Sequence, residues 1–290
     1  MPIFNQVVSG GGGSAPARYR AFELDANGRL IASKTESHIM DFTGVTNVDS
    51  YMLTSAYNGN TAISGAVDMS DLTTITGSNA CQFMFSGCTG LTSVNMSALT
   101  ALIGSTACNG MFSICTGLTS VDLSSLTDIS GSNVCAKMFN ACTGITSVDL
   151  SSLITISGST ACQEMFYSCT GLTSVDLSSL TTISGPSACN SMFYGCTGLT
   201  SVDLSGLTTL SGNSACGGMF SACTSLATVY IGGTTAINFS TRINQFSGMF
   251  NNCTQNIDVY APAASQTAIE GLTGYPNFGG TGTVTWHWRS

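Results

Sequence analysis

Between residues 60 and 253 the apolar and polar positions recur with a period of 27. One set of cysteines stands at 81, 108, 135, 162, 189 and 216, and a second at 88, 115, 142, 169, 196 and 223. A fixed period of this size means that one small structural unit is stacked on copies of itself. Two local patterns share each unit. Cys81, Met84, Phe85 and Cys88 fall at i, i+3, i+4 and i+7 behind Ala80, which predicts a two-turn helix with one buried face. Leu91, Val94 and Met96 follow, the last two alternating about a polar residue, which predicts a short strand. Leu99 and Leu102, or Leu126 and Ile129 one unit on, add two inward positions. Glycines at 77, 104, 131, 158, 185 and 212 mark a turn at positive φ.

Stacking at a strand spacing of about 4.8 Å lines like residues up in ladders, Val94 to Val229 in one and Phe85 to Phe220 in another. A single unit has about ten apolar side chains worth roughly 1.5–3 kcal/mol each, against an ordering cost of about 1.5 kcal/mol for each residue. It cannot fold alone, so the array needs contact between units and special ends. Residues 60–77 read as a degenerate first unit, with Asn60 in place of the second cysteine. After Ile231 the pattern drifts: Phe246 replaces the first cysteine, while Met249, Phe250 and Cys253 persist. Beyond it a strand, a proline turn and a short helix are predicted, then a terminal strand with Val284, Trp286 and Trp288 on one face. Four segments result. They are an N-terminal docking peptide with a Gly-rich linker (1–15), an N-terminal cap or docking element (16–59), the solenoid (60–253), and a C-terminal cap with terminal strand (254–290). In the second segment Asn27-Gly28 between apolar runs predicts a hairpin.

Composition narrows the partners. Charged residues are 8% of the 290 and the formal net charge is -8, with Lys34, Lys137 and five arginines as the cations. That excludes the phosphate-neutralising patch of a nucleic-acid binder. No stretch has the 18 or more apolar residues of a membrane span, so no membrane insertion is expected. Met1 to Ser14 shows no export signal, which predicts synthesis without a signal peptide.

Thirteen cysteines raise three readings: buried free thiols, disulfides between units, or a metal site. Within a helix i and i+7 lie roughly 10.5 Å apart, too far for a bridge inside one unit. Zinc would need close cysteine pairs with histidine support, and the only histidines are His38 and His287. No metal or cofactor is assigned. The outward strand residues are Asp68, Asn95, Asp122, Asp149, Asp176, Asp203 and then Tyr230. Closely spaced carboxylates repel unless cations or hydroxyl donors intervene, so Asp122, Asp149, Asp176, Asp203 and Tyr230 form a candidate ligand stripe for Ca²⁺ or sugar. The alternative is a ladder hydrogen-bonded to neighbouring Ser and Thr. The varied residues Tyr260, Tyr275, Trp286 and Trp288 are a candidate oligomer or tip contact, the alternative being packing within the cap. No Ser-His-Asp order, H-E-x-x-H or phosphate loop is present, so no catalytic residue is assigned.

With MF-x-x-C-T-x-L-T-S-V-D-L-S repeated, the sequence resembles the BspA-like leucine-rich repeats, in the variant MF-x-x-C-x-x-L-x-x-L-D-L-S, over about residues 60–253. Asp258 to Phe278 is similar to the closing element that follows such repeats. The resemblance implies an α/β repeat solenoid, right-handed, with short parallel strands on a concave side and short helices on the other. It also implies attachment to surfaces, cells or host molecules without catalysis. The opening peptide and glycine linker resemble the leaders of bacteriophage structural proteins. The expectation is therefore a virion-associated structural and adhesion protein, a tail or capsid appendage, forming a homo-oligomer. It would bind other particle proteins through its N-terminal peptide and a cell-surface glycan or protein through the solenoid. A bacterial cell-surface adhesin is the alternative, and a carbohydrate-active enzyme the remote third.

Overall fold

The computed structural model describes residues 42–239 and 244–290, together with the backbone of 23–24 and 30–31. Each coil has three sides, two of them parallel β-sheets. The first sheet has nine strands in spatial sequence: Ser64–Asp68, Gly90–Asn95, Ser120–Asp122, Ser147–Asp149, Ser174–Asp176, Ser201–Leu204, Thr228–Ile231, Ile257–Pro262 and Val284–Arg289. The second has eight, from Asn47–Val48 through Asp128–Ser130, Thr155–Ser157 and Thr182–Ser184 to Asn238–Phe239. Pairing is in register at the period of the sequence. Val121, Val148, Val175 and Val202 sit side by side in one sheet, and Ile129, Ile156 and Ile183 in the other.

The third side corrects the helical expectation. Cys81 to Cys88 and its equivalents form tandem β-turns, and the only α-helix among the described residues is Gln266–Glu270. Asn79, Phe83 and Gly87 have φ of 55°, 52° and 74°, and the same left-handed step recurs at Asn133, Lys137 and Ala141 and in the other coils. The amides of Gln82, Met84, Ser86 and Cys88 close turns onto Asn79, Cys81, Phe83 and Phe85. Those of Cys81, Phe83, Phe85 and Gly87 instead donate to Ala107, Asn109, Met111 and Ser113 of the next coil. The burial period is thus four residues, with Ala80, Cys81, Met84, Phe85 and Cys88 inside. The spacing i, i+3, i+4, i+7 fits this period as well as it fits a helix.

Thickness explains the choice. Two sides rise by one strand spacing per coil, about 4.8 Å, whereas packed helices need 8–10 Å between axes. A helical third side would splay the sheets, and a turn layer that hydrogen-bonds from coil to coil rises in step with them. Half of its amides then act as sheet donors, so the layer needs no helix to satisfy its backbone.

The interior is a set of dry columns. Phe85, Phe112, Phe139, Phe166, Phe193 and Phe220 stack at centroid distances of 5.4–5.8 Å, with ring planes within 11°. Tyr57 extends the column on Phe85 and Phe250 extends it beyond Phe220. Tyr57 and the strand Asn47–Val48 already belong to a coil, so stacking reaches into the 16–59 stretch assigned above to a cap or docking element. Glu23–Leu24 pairs antiparallel with Leu30–Ile31, the hairpin expected around Asn27-Gly28. The turn itself, the 1–15 peptide and His38 lie outside the described residues. Gly158 shows why the turn glycines recur: its φ is 106°, and a Cβ there would lie 2.4 Å from the Gly131 carbonyl oxygen.

All thirteen cysteines are free and buried. The helical-rise argument against bridges loses its premise, and hydrogen bonding shows what the thiols do instead. In the second column Cys115, Cys142, Cys169, Cys196 and Cys223 each donate Sγ–H to the carbonyl of a phenylalanine one coil back, Phe85 to Phe193, at 3.0–3.1 Å. That carbonyl already closes a turn, so the thiol fills its second acceptor site. In the first column the Cys108 thiol donates a hydrogen bond to Cys81 Sγ, and the Cys162 thiol donates one to Cys135 Sγ. Burial pushes Cys88 and Cys253 up to about 11 and Cys216 to about 12.

Candidate interaction surface

The outer face of the first sheet carries two rows of side chains because strand residues alternate about the inward valine. One row runs Ser93, Ser120, Ser147, Ser174, Ser201, Thr228, Asp258 and Thr285. The other runs Asn95, Asp122, Asp149, Asp176, Asp203, Tyr230, Tyr260 and His287. Along the N-terminal half the rows bound an open trough of about 650 Å³.

Each stripe carboxylate is engaged by its own turn. Oδ1 of Asp122, Asp149, Asp176 and Asp203 accepts the amide of the serine two residues on, at 3.0, 3.0, 2.9 and 2.8 Å. Ser124 and Ser151 add a hydroxyl donor at 2.7 Å. The Ser151 hydroxyl, with its amide behind it, holds Asp149 below its ordinary value. Asp68 and Asn95 make the same turn with Ser70 and Ser97. These local bonds draw negative charge from Oδ1 of each aspartate into its own turn, which eases the repulsion between like residues standing side by side. Among the described residues no group of three or more His, Cys, Asp or Glu is placed to hold a metal ion.

At the C-terminal end the row becomes aromatic. Tyr230 stacks on Tyr260 at 5.0 Å and Tyr260 on His287 at 4.6 Å. His287 Nε2 lies 2.8 Å from Asp258 Oδ1. The Arg289 guanidinium crosses back over the Tyr230 ring at 5.5 Å and donates to the Gly232 carbonyl. Tyr260 therefore sits with Tyr230 on the sheet, apart from the other residues grouped with it as a tip. Those three do cluster: Trp286 stacks on Trp288 at 5.6 Å, lies 5.8 Å from Tyr275, and donates Nε1–H to the Pro276 carbonyl at 3.0 Å. Sequence reasoning weighed His287 only as a zinc ligand and did not single out Arg289. One signal was available, since a step of 27 from Tyr260 lands on His287.

The model of the BspA type leucine-rich-repeat region matches in six copies, over residues 42–134, 66–185 and 112–255. No curated protein matches the chain. Among solved structures, one similar chain belongs to the Toll–Spatzle complex of Drosophila, a hub in development and innate immunity. It has 15% identity and a TM-score of 0.39, with 88% of this chain covered, and the chain spans 37% of that protein's length. Another is a leucine-rich repeat protein from Bacteroides ovatus, with 16% identity, a TM-score of 0.20, and coverage of 93% of this chain and 98% of that one. Neither superposition is close enough to carry a structural argument. Leucine-rich-repeat solenoids are repeat proteins of protein and surface interaction and are typically non-enzymatic. The family matches together cover well over half of the sequence, and the chain belongs to the BspA-type leucine-rich-repeat family.

Proposed function

We propose that this chain is a non-catalytic attachment module, a stacked spacer that carries a recognition patch at its C-terminal end. The observation that carries the reading is the change along one row: four aspartates tied into their own turns give way to Tyr230, Tyr260 and His287 beside Asp258 and Arg289. Aromatic and arginine side chains in a varied cluster are what selective contacts use, whereas a repeated Ser and Asp surface offers every coil the same weak contact. The partner is a cell-surface glycan or protein. The module rides on a bacteriophage tail or capsid appendage, attached to other particle proteins through residues 1–15, as the leader-like opening peptide supports. Family membership favours a second reading, an adhesin on a bacterial surface.

Retention of the purified protein on bacterial cells and on glycan arrays tests attachment. Tyr260→Ala and His287→Ala are expected to reduce retention at least tenfold while the chain stays folded, with unfolding shifted by no more than about 1 kcal/mol. Retention that survives both substitutions would move the contact elsewhere, and no retention at all would sink the attachment reading. Mass spectrometry of purified particles separates the two carriers: presence there supports the virion, and presence only in the bacterial envelope supports the adhesin.

A further inference from the structure

The two cysteine columns share one spacing and use their thiols differently. In the second column every Sγ–H is directed at a carbonyl one coil back, from Cys88 on Tyr57 at 3.1 Å to Cys253 on Phe220 at 3.0 Å. In the first column thiols meet in pairs. Cys108 donates to Cys81 and Cys162 to Cys135. Cys108 and Cys135 also stand one coil apart but share no hydrogen bond, and among the described residues neither Cys189 nor Cys216 joins a thiol pair.

The backbone sets each pair at bridging distance. The Cys81 amide donates to the Ala107 carbonyl at 2.7 Å and the Cys135 amide to the Ala161 carbonyl at 2.8 Å, so each cysteine lies beside its counterpart on the next coil. One coil step of about 4.8 Å falls inside the roughly 4.4–6.8 Å between Cα atoms that a disulfide spans. All four side chains are buried in the same column. The pairs are also chemically unequal. Burial raises Cys135, and the hydrogen bond from Cys162 works against that rise by steadying the Cys135 thiolate, which makes Cys135 the better nucleophile.

We propose that the first column is an oxidation site at which hydrogen peroxide joins Cys81 to Cys108 and Cys135 to Cys162, tying adjacent coils in pairs. Cys135 gives up its proton and its sulfur attacks one peroxide oxygen. The O–O bond breaks, the departing oxygen takes up the proton and leaves as water, and Cys135 becomes a sulfenic acid. The Cys162 sulfur then forms the S–S bond, the S–O bond breaks, and the hydroxyl leaves with the Cys162 proton as a second water. Two thiols lose two electrons, and one peroxide is reduced to two waters. The same steps join Cys81 to Cys108. Burial keeps Cys108, Cys135 and Cys162 protonated at neutral pH, so bridging is slow and waits on brief local opening. A stack of repeats opens by peeling coil from coil, since each holds only its neighbours, and a bridge forces two coils to open together. The site stands apart from the attachment reading.

The test exposes the reduced full chain to hydrogen peroxide under native conditions, then denatures it in an alkylating agent and maps its peptides by mass spectrometry. Two bridges are expected, one joining Cys81 to Cys108 and one joining Cys135 to Cys162, with the second column alkylated throughout. Dithiothreitol should reverse them, and the bridged chain should unfold in denaturant at least tenfold more slowly than the reduced one. Cys162→Ala should remove the second bridge and keep the first, whereas Cys169→Ala, in the other column, should keep both. The map of the unsubstituted chain decides the matter even where a variant fails to fold. Thiols that all stay unbridged overturn the proposal, as do bridges from Cys108 to Cys135 or within the second column, or bridges that form only after the chain unfolds.

Discussion

The coils between Ala80 and Cys223 and the closing stretch from Thr228 to Arg289 obey one stacking rule and present different side chains. In the central coils every inward group rests on an identical group above and below, so the phenyl rings lie nearly parallel. At the closing end the inward rings meet edge to face instead, Phe246 against Phe278 at 75° and Phe278 against Trp286 at 71°. Identity is needed where like coils fit on one another, and it is released along the closing stretch, where the inward rings differ from one position to the next. Outward residues at the end are then free to differ, and the varied patch is found there.

The largest test of this contrast is alkaline pH, because thiols fill the centre and only Cys253 lies beyond Thr228. Burial holds folded thiols neutral: Cys88 rises from 9.0 to about 11 and Cys216 to about 12, and Cys142 and Cys169 shift in the same direction. A raised folded value gives stability that is complete below pH 9 and is lost as pH climbs from 9 through 11–12. Each such thiol removes about 1.4 kcal/mol per pH unit once the unfolded chain ionises. Several together exceed the 5–15 kcal/mol or so that holds a typical domain. Melting temperature followed by circular dichroism should fall steeply between pH 9 and 10.5. A flat profile there would mean that the thiol columns ionise as readily as in the unfolded chain.

Within the phenyl column, Phe166→Ala should cost about 3–5 kcal/mol in denaturant unfolding. The ring is fully buried between Phe139 and Phe193, and both neighbours stay in place to frame the cavity. Tyr260→Ala, on the outer row, should cost about 1 kcal/mol, the worth of a partly exposed aromatic contact. Equal losses at the two sites would remove the distinction between structural column and presented patch.

The stacking was legible because its signal is the repeat itself: the valine and phenylalanine ladders and the positive-φ glycines follow from a period of 27. The third side was misread because Cys81, Met84, Phe85 and Cys88 satisfy a helical spacing and a four-residue spacing equally. Only the shared rise of the coils decides between them, and that is a property of neighbours. The second sheet was reduced to two inward positions because Thr155–Ser157 and its equivalents are two or three residues long with at most one buried side chain. Too little alternation survives in two or three residues to mark a strand. At the outer row, Tyr260 was grouped with Tyr275 and the tryptophans as varied residues outside the uniform repeats, whereas register sets it beside Tyr230.

The smallest effect concerns the aspartate row. Asp149 accepts both the hydroxyl and the amide of Ser151, whereas Asp176 accepts only the amide of Ser178. Ser151→Ala gives Asp149 the donor set of Asp176, so its midpoint in a carboxyl NMR titration should move up toward the ordinary value. The depressed value contributes stability at neutral pH that is lost as pH falls through it, and at so exposed a carboxylate the change in melting temperature should be slight. A midpoint that stays in place would show that the hydroxyl does not hold the carboxylate in solution. The oxygens of the row would then be open to a cation or a sugar hydroxyl, and the centre would join the end as a presented surface.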